Sequence, residues 1–220
     1  MPKTSKDRCI NLTAHEVRGI LDGSITQLRR AAKLIPNNHR SGAGYVKQLE
    51  SGEWEQYGAG GVWIPFPRSP FGEPGDRLIG REAARYNPQV KPASGRPICA
   101  VTYEADDRDA LVEYDSPESL ERVRNWLVWN RSAALMPRWA SRLPLRVKLV
   151  RVQQLGDATE EDAKNEGHLP IWGDPHRSMY RLVSTSLGVM QTHWDANAKP
   201  GEEWNPNLWT FVAAIEREGR

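Results

Sequence analysis

The chain has 220 residues, a length that suits one large domain or two small ones. Hydrophobic residues make up 39% of it and nine tryptophans are present, which excludes a disordered chain, whereas 18 glycines and 16 prolines argue against a helical bundle. The formal net charge is only +2, and no apolar stretch is long enough for a membrane span or a secretion signal, so we expect a cytoplasmic protein without a membrane partner.

The N-terminal region predicts a short helix followed by a strand. Thr13 and Glu16 form a capping-box pattern, and apolar residues then repeat at helical spacing until Gly23, which is a typical helix stop. Side chains of different chemistry alternate over residues 24–34. This period of two predicts a strand directly after the helix.

A long loop is expected over residues 37–75, because glycines and prolines interrupt every apolar run there. The aromatic residues of this segment are Trp54, Tyr57, Trp63, Phe66 and Phe71. They either pack the loop onto the domain or line a pocket.

The rest of the chain predicts short strands and capped helices. In chain order they are strands at 77–82 and 98–103, a helix from Ser116, a strand within 138–152, a short helix from Thr159 to Gly167, a helix at 179–194 and a terminal strand at 208–215. Within 138–152, one face of the strand is expected to carry Leu143, Leu145, Val147 and Leu149. Separate strands with short helices indicate an α+β fold, and the simplest arrangement is a small sheet curled into a barrel.

Local motifs and metal-ligand patterns are missing from the sequence. The hydrolase, zinc-protease and nucleotide-binding motifs of fixed spacing do not occur. Cys9 and Cys99 have no C-x-x-C spacing, and the five histidines are scattered. We therefore predict neither a metal nor a cofactor.

Charge is distributed unevenly along the chain. Met1 to Arg40 carries eight basic and three acidic residues, and Arg131 to Arg151 carries six basic residues and no acid. Between Glu104 and Glu121 eight acids accompany a single arginine. These blocks fit either the solvated faces of a mixed surface or a basic groove for a polyanion, and both interpretations stay open.

Five segments together resemble one protein family. VRGILDGSITQLRR at 17–30 resembles the helix–glycine–strand signature of ASCH domains, in the version found in phage and prophage proteins. The other segments are FGEPGDRL at 71–78 followed by Arg81 and Glu82, MPRWASR at 136–142, EEDAKNEG at 160–167 and NPNLW at 205–209. The resemblance runs in order through nearly the whole chain.

The resemblance implies a PUA-like β-barrel with short flanking helices, formed by a single domain over residues 1–220. The implied insertions are a loop at 37–75 and helical segments at 104–130 and 170–205. Such a fold is associated with binding RNA or modified bases, so the expected partner is a nucleobase, nucleotide or nucleic acid.

A basic cleft beside the signature strand is the implied binding site. The residues expected to contact the ligand are Thr26, Gln27, Arg29, Arg30, Arg81, Arg138, Trp139 and Arg142. Arg30, Arg142 and Glu166 are expected to meet there. Alternatively, the arginines pair with acids such as Glu82 to close the barrel, and Trp139 belongs to the core.

An amidohydrolase is the alternative that the resemblance raises. Some ASCH proteins deacylate N4-acetylcytidine with a lysine, a threonine and a glutamate, and the corresponding positions here are Ile25, Leu28 and Glu166. Only Glu166 can act in acid–base chemistry, so the resemblance argues against this activity. A third alternative is a phage-encoded factor that contacts a host protein through the acidic block and the aromatic loop.

Overall fold

The computed structural model describes residues 7–33, 46–51, 53–57, 62–87, 98–113, 132–172 and 182–219. It confirms a mixed α+β fold in which strands predominate. The strands are β1 (Asp7–Asn11), β2 (Gln27–Ala31), β3 (Val46–Gln48), β4 (Trp54–Tyr57), β5 (Trp63–Pro65), β6 (Arg77–Arg81), β7 (Ala84–Asn87), β8 (Ile98–Tyr103), β9 (Arg108–Glu113), β10 (Leu143–Gln154), β11 (Ile171–Trp172), β12 (Leu182–Ser184) and β13 (Trp209–Arg217). The α-helices are α1 (Ala14–Asp22), α2 (Glu160–Asn165) and α3 (Ser186–Asn197).

The largest sheet has five strands in the order β1-β6-β10-β13-β2. Strand β1 runs parallel to β6, and β10 pairs with β6 in the antiparallel direction, as β13 does with β2. The other sheets are β3-β4-β5, β7-β8-β9 and β11-β12. No sheet closes into a barrel among the described strands, so the PUA-like barrel stays a prediction.

The chain divides into two compact units. Unit 1 comprises Met1–Thr26, Pro74–Lys148 and Ile215–Arg220, and unit 2 comprises Gln27–Glu73 and Leu149–Ala214. Strand β10 begins in unit 1 and continues in unit 2. The single domain expected over residues 1–220 stays a prediction.

Unit 1 contains the predicted N-terminal helix. The Thr13 hydroxyl accepts a hydrogen bond from the Glu16 backbone N (3.2 Å), and the Glu16 carboxylate accepts one from the Thr13 backbone N (2.8 Å). Gly23 ends the helix with φ = 85°, a conformation that glycine adopts without strain. The capping box and the glycine stop are therefore confirmed.

The core of unit 1 lies around the β7-β8-β9 sheet. Its buried members are Ala84, Tyr86, Cys99, Val101, Tyr103, Met136 and Ala140. The Tyr103 hydroxyl donates to the Ala140 carbonyl (2.8 Å), which satisfies a polar atom inside this core. The helix predicted from Ser116 lies outside the described residues.

Unit 2 contains regular structure where a loop was expected. Residues within 37–75 form the antiparallel sheet β3-β4-β5, whose strands are only three or four residues long and fit between the glycines and prolines. Phe66 is buried against Phe211, with ring centroids 5.4 Å apart, and Phe71 is fully buried. These two aromatic side chains therefore pack into the unit, whereas Trp63 stays 39% exposed.

The C-terminal elements agree closely with the elements predicted from the sequence. The strand predicted within 138–152 is β10, and its first three expected core residues are buried, but Leu149 is exposed. Helix α2 has the expected capping box at Thr159, and Gly167 follows it with φ = 81°. The helix expected at 179–194 is α3, which begins only at Ser186 because β12 precedes it.

None of the described helices combines the length and apolar character needed to span a bilayer.

Candidate functional site

A buried polar cluster in unit 2 joins strand β2 to the C-terminal end of helix α2. Glu166 Oε1 accepts hydrogen bonds from Gln27 Nε2 (2.8 Å) and from Arg29 Nε (2.9 Å). Gln27 and Arg29 are two residues apart in a strand, so both side chains leave the same face of β2. The structure thus brings Glu166, which is distant in sequence, together with the predicted site residues Gln27 and Arg29.

Helix α2 supplies a second carboxylate, Asp162. Its Oδ2 caps the helix by accepting from the Thr159 backbone N (3.1 Å), and its Oδ1 accepts from Gln27 Nε2 (3.2 Å). Asp162 and Glu166 are four residues apart, a spacing that places both carboxylates on one side of a helix. Asp162 therefore both stabilises the start of α2 and takes part in the polar cluster.

Arg151 on β10 completes the cluster. Its Nη2 donates to Gln27 Oε1 (3.2 Å) and to Asp162 Oδ1, and its Nε donates to Gln153 Oε1 (3.2 Å). The side chain is 35% exposed, which makes it the most accessible member. We call Gln27, Arg29, Arg151, Asp162 and Glu166 the Arg29 cluster.

The guanidinium of Arg29 is held by two protein acceptors and lacks a third. Nε contacts Glu166, and Nη1 donates to Thr210 Oγ1 (3.1 Å), which itself donates to the Gln153 carbonyl (2.9 Å). Nη2 is enclosed and has no hydrogen-bond partner within the described part of the chain. Nη2 lies 3.9 Å from Asp162 Oδ2, beyond hydrogen-bond distance.

The two carboxylates of the cluster differ in acidity. Burial raises the pKa of Glu166, although the Arg29 charge and the hydrogen bonds from Gln27 and Arg29 oppose the increase. Burial also acts to raise the pKa of Asp162, but the Thr159 amide, Gln27 and the two arginines outweigh it, so that pKa lies below its usual value. Neighbouring carboxyls whose pKa values move apart are a common feature of functional sites.

Arg142, another predicted ligand contact, lies in unit 1 between two carboxylates. It donates to both oxygens of Glu82 (2.8 and 2.9 Å) and to both oxygens of Asp106 (2.8 and 2.9 Å). Its Cζ also lies 4.0 Å from the centre of the Tyr103 ring. Four hydrogen bonds use most of the guanidinium donors, which favours the ion-pair interpretation.

The other predicted residues of unit 1 make local contacts. Arg81 Nη1 donates to the Ala134 carbonyl (3.2 Å), and Arg138 Nη2 donates to the Asp7 carbonyl (3.3 Å). The Trp139 ring packs edge-on against the Tyr86 ring, with ring centroids 6.2 Å apart. Trp139 thus contributes to the core of unit 1, as the alternative interpretation expected.

Two predicted residues flank the cluster in the signature segment. Thr26 is exposed, and its carbonyl accepts from the Ile215 backbone N (2.8 Å). Arg30 leaves β2 on the face opposite to Arg29, and its Nη1 donates to the Arg29 carbonyl (2.7 Å). The expectation that Arg30, Arg142 and Glu166 share one cleft stays a prediction.

Sequence reasoning did not select Arg151, Asp162 or Thr210 as site residues. From the sequence, Asp162 belongs only to the helix predicted from Thr159 to Gly167, and Arg151 is only the last residue of a basic block. The useful signal for Asp162 was its four-residue spacing from Glu166. No such signal exists for Arg151 and Thr210, because strand pairing alone decides which side chains they meet.

The cluster contains no apparent metal site. Across the described ranges, no three His, Cys, Asp or Glu side chains are grouped so that they could hold a metal ion. In the Arg29 cluster the carboxylates instead face arginine and glutamine donors.

Comparisons with protein-family models, curated proteins and solved structures found no match to this chain.

Proposed function

We propose that this protein binds a nucleobase, nucleotide or nucleic acid at the Arg29 cluster, as a phage-type ASCH protein with a PUA-like fold. The proposal includes a phage or prophage origin and action in the bacterial cytoplasm. Its support is the sequence resemblance together with the meeting of Gln27, Arg29 and Glu166, three residues that the resemblance assigned to one site.

One observation carries the proposal. Arg29 has a side chain only 1% exposed, yet its Nη2 group has no acceptor in the described structure. Buried polar groups in folded proteins are nearly always paired, because an unpaired group loses its hydrogen bonds to water without replacement. A ligand oxygen or ring nitrogen would supply the missing acceptor, and planar base edges carry both.

The test is a thermal-shift panel with the full chain. The panel contains nucleosides, including modified ones, nucleotides, and short single-stranded and duplex RNA and DNA. A ligand at 100 times its Kd adds about 2.7 kcal/mol of stability, and for a chain of this length about 2 to 4 °C in Tm accompanies each kcal/mol. We therefore expect a rise of about 5 to 10 °C with the true ligand.

A matched pair of arginine variants locates the binding. Arg29→Lys keeps the charge but loses the planar Nη2 donors, so the ligand-dependent shift should fall by at least half. Arg108→Lys, at a side chain 79% exposed, should leave it unchanged. An equal shift in both variants would contradict the proposed site. If no ligand in the panel shifts Tm, nucleic-acid binding is wrong and a host-protein partner becomes the leading proposal.

Hydrolysis of a modified nucleoside is the second candidate, and the raised pKa of Glu166 is the observation that favours it. A carboxyl whose pKa lies nearer neutrality is a better general base. Against it, the Ile25 and Leu28 side chains are aliphatic and 4% and 1% exposed, so neither supplies a donor for an oxyanion. Binding without turnover is therefore the better-supported function.

A further inference from the structure

The unpaired donor of Arg29 lies near an acceptor that has spare capacity. Within the described residues, Asp162 Oδ2 accepts one hydrogen bond, from the Thr159 backbone N, and a carboxylate oxygen can accept two. Arg29 Nη2 is 3.9 Å from this oxygen. The two atoms thus offer a donor and an acceptor side by side, too far apart to satisfy each other.

The charges around this pair disfavour an anionic ligand. Arg29 and Arg151 carry two positive charges, and they are balanced by the carboxylates of Asp162 and Glu166 when both are ionised. A phosphate placed beside Asp162 Oδ2 would face a like charge in a poorly solvated site. A neutral group avoids this repulsion.

Resting on the proposed function, we propose that the Arg29 cluster recognises the lactam edge of a neutral nucleobase. The ring carbonyl accepts from Arg29 Nη2 and the adjacent ring N–H donates to Asp162 Oδ2. Uracil, thymine, guanine and hypoxanthine present such an edge, with a carbonyl beside an N–H. The Watson–Crick edges of adenine and cytosine instead place an amino group beside an unprotonated ring nitrogen.

Ligand entry involves Arg151. Arg29 Nη2 is enclosed, so the base reaches it only when a neighbouring side chain moves. Arg151 is the most exposed member of the cluster, and it contacts Asp162 through the oxygen that does not cap the helix. Displacing its guanidinium frees Gln27 Oε1 and Asp162 Oδ1 without breaking the helix cap.

Calorimetric titration of the full chain with nucleosides tests the edge preference. Uridine and inosine should bind, whereas 3-methyluridine, which keeps both carbonyls but lacks the ring N–H, should bind at least about tenfold more weakly. Cytidine and adenosine should be similarly weak. Because no phosphate is neutralised, uridine affinity should change less than about twofold between 50 and 500 mM salt.

A carboxylate-to-amide variant makes the same test from the protein side. Asp162→Asn can still cap the helix through an amide oxygen at the Oδ2 position, but this oxygen is uncharged and accepts the ring N–H more weakly, so the preference for uridine over cytidine should fall. Glu161→Gln, at the exposed neighbouring position, is the matched control and should keep the preference. If Asp162→Asn does not fold, the comparison of uridine with 3-methyluridine still decides the question.

The outcomes separate this inference from the function on which it rests. Tighter binding of cytidine or adenosine, equal binding of uridine and 3-methyluridine, or affinity that requires a phosphate would overturn lactam recognition and leave nucleic-acid binding standing. Failure of every nucleoside, nucleotide and oligonucleotide to bind would overturn both. A smaller preference for uridine in Asp162→Asn but not in Glu161→Gln would support the inference, and an unchanged preference in Asp162→Asn would count against it.

Discussion

Replacing Arg142 with methionine should destabilise the protein strongly, because the arginine neutralises an enclosed carboxylate. Glu82 has a side chain only 2% exposed, and both of its oxygens accept from Arg142. Burial raises the pKa of Glu82, and the hydrogen bonds and charge of Arg142 oppose that effect. Methionine fills similar space but leaves the Glu82 carboxylate without its arginine partner.

The expected loss is large compared with that of a surface ion pair. Removing one partner of a buried pair typically costs about 3 to 5 kcal/mol, whereas an exposed pair contributes about 0 to 1 kcal/mol. Arg146→Met is the matched control, since this side chain is 45% exposed and pairs with Glu218. At about 2 to 4 °C per kcal/mol, Arg142→Met should lower Tm by about 6 to 20 °C and the control by a few degrees at most.

The effect should also depend on pH in a defined direction. Without Arg142, the pKa of the Glu82 carboxyl rises further above its usual value, so the folded state binds more protons than the unfolded state as the pH falls. Stability from such a group increases with decreasing pH. The deficit of Arg142→Met relative to the wild type should therefore narrow between pH 7 and pH 5.

Urea unfolding followed by tryptophan fluorescence at both pH values measures these quantities, with Arg142→Met/Glu82→Gln as a second variant. The double variant no longer has the unpaired buried Glu82 carboxylate, and Asp106 keeps Arg108 at 3.8 Å, so it should be more stable than Arg142→Met alone. A loss below about 1 kcal/mol, indistinguishable from Arg146→Met, would refute the reasoning and restore Arg142 as a candidate ligand contact.

Three further predictions concern separate parts of the molecule. Gly19→Ala would place a Cβ 2.3 Å from Ile25 Cγ1, so we expect a loss of about 1 to 3 kcal/mol by urea unfolding, whereas Gly219→Ala, with open space around it, should be neutral. Burial raises the pKa of the Cys99 thiol to about 11, so mass spectrometry after iodoacetamide at pH 8 should find it alkylated only in unfolded protein. The protein should not appreciably hydrolyse N4-acetylcytidine, because Ile25 and Leu28 offer no oxyanion donor and losing one such donor costs about 100- to 1,000-fold in rate; chromatographic detection of cytidine release would contradict this.

Local features of the sequence determined the starts of α1 and α2 and the main strands. The capping boxes at Thr13 and Thr159 involve residues three apart, so their hydrogen bonds form whenever the segment is helical, whatever the rest of the chain does. The alternation that begins at Leu143 likewise belongs to one strand. The ASCH resemblance added the choice of Gln27, Arg29 and Glu166 as site residues.

Tertiary structure decided which side chains meet. Glu166 and Arg29 are 137 residues apart, and Arg142 and Glu82 are 60 apart. No local spacing could therefore show that Arg29 keeps an unpaired donor while Arg142 has most of its donors paired. The short sheet within 37–75 could not be predicted from the sequence either. Its strands have only three or four residues, too few to show an alternating pattern between glycines and prolines. These arginine contacts and the short sheet depend on residues that are distant in sequence. The free energy of each contact depends on its burial and its partners, which exist only in the folded chain.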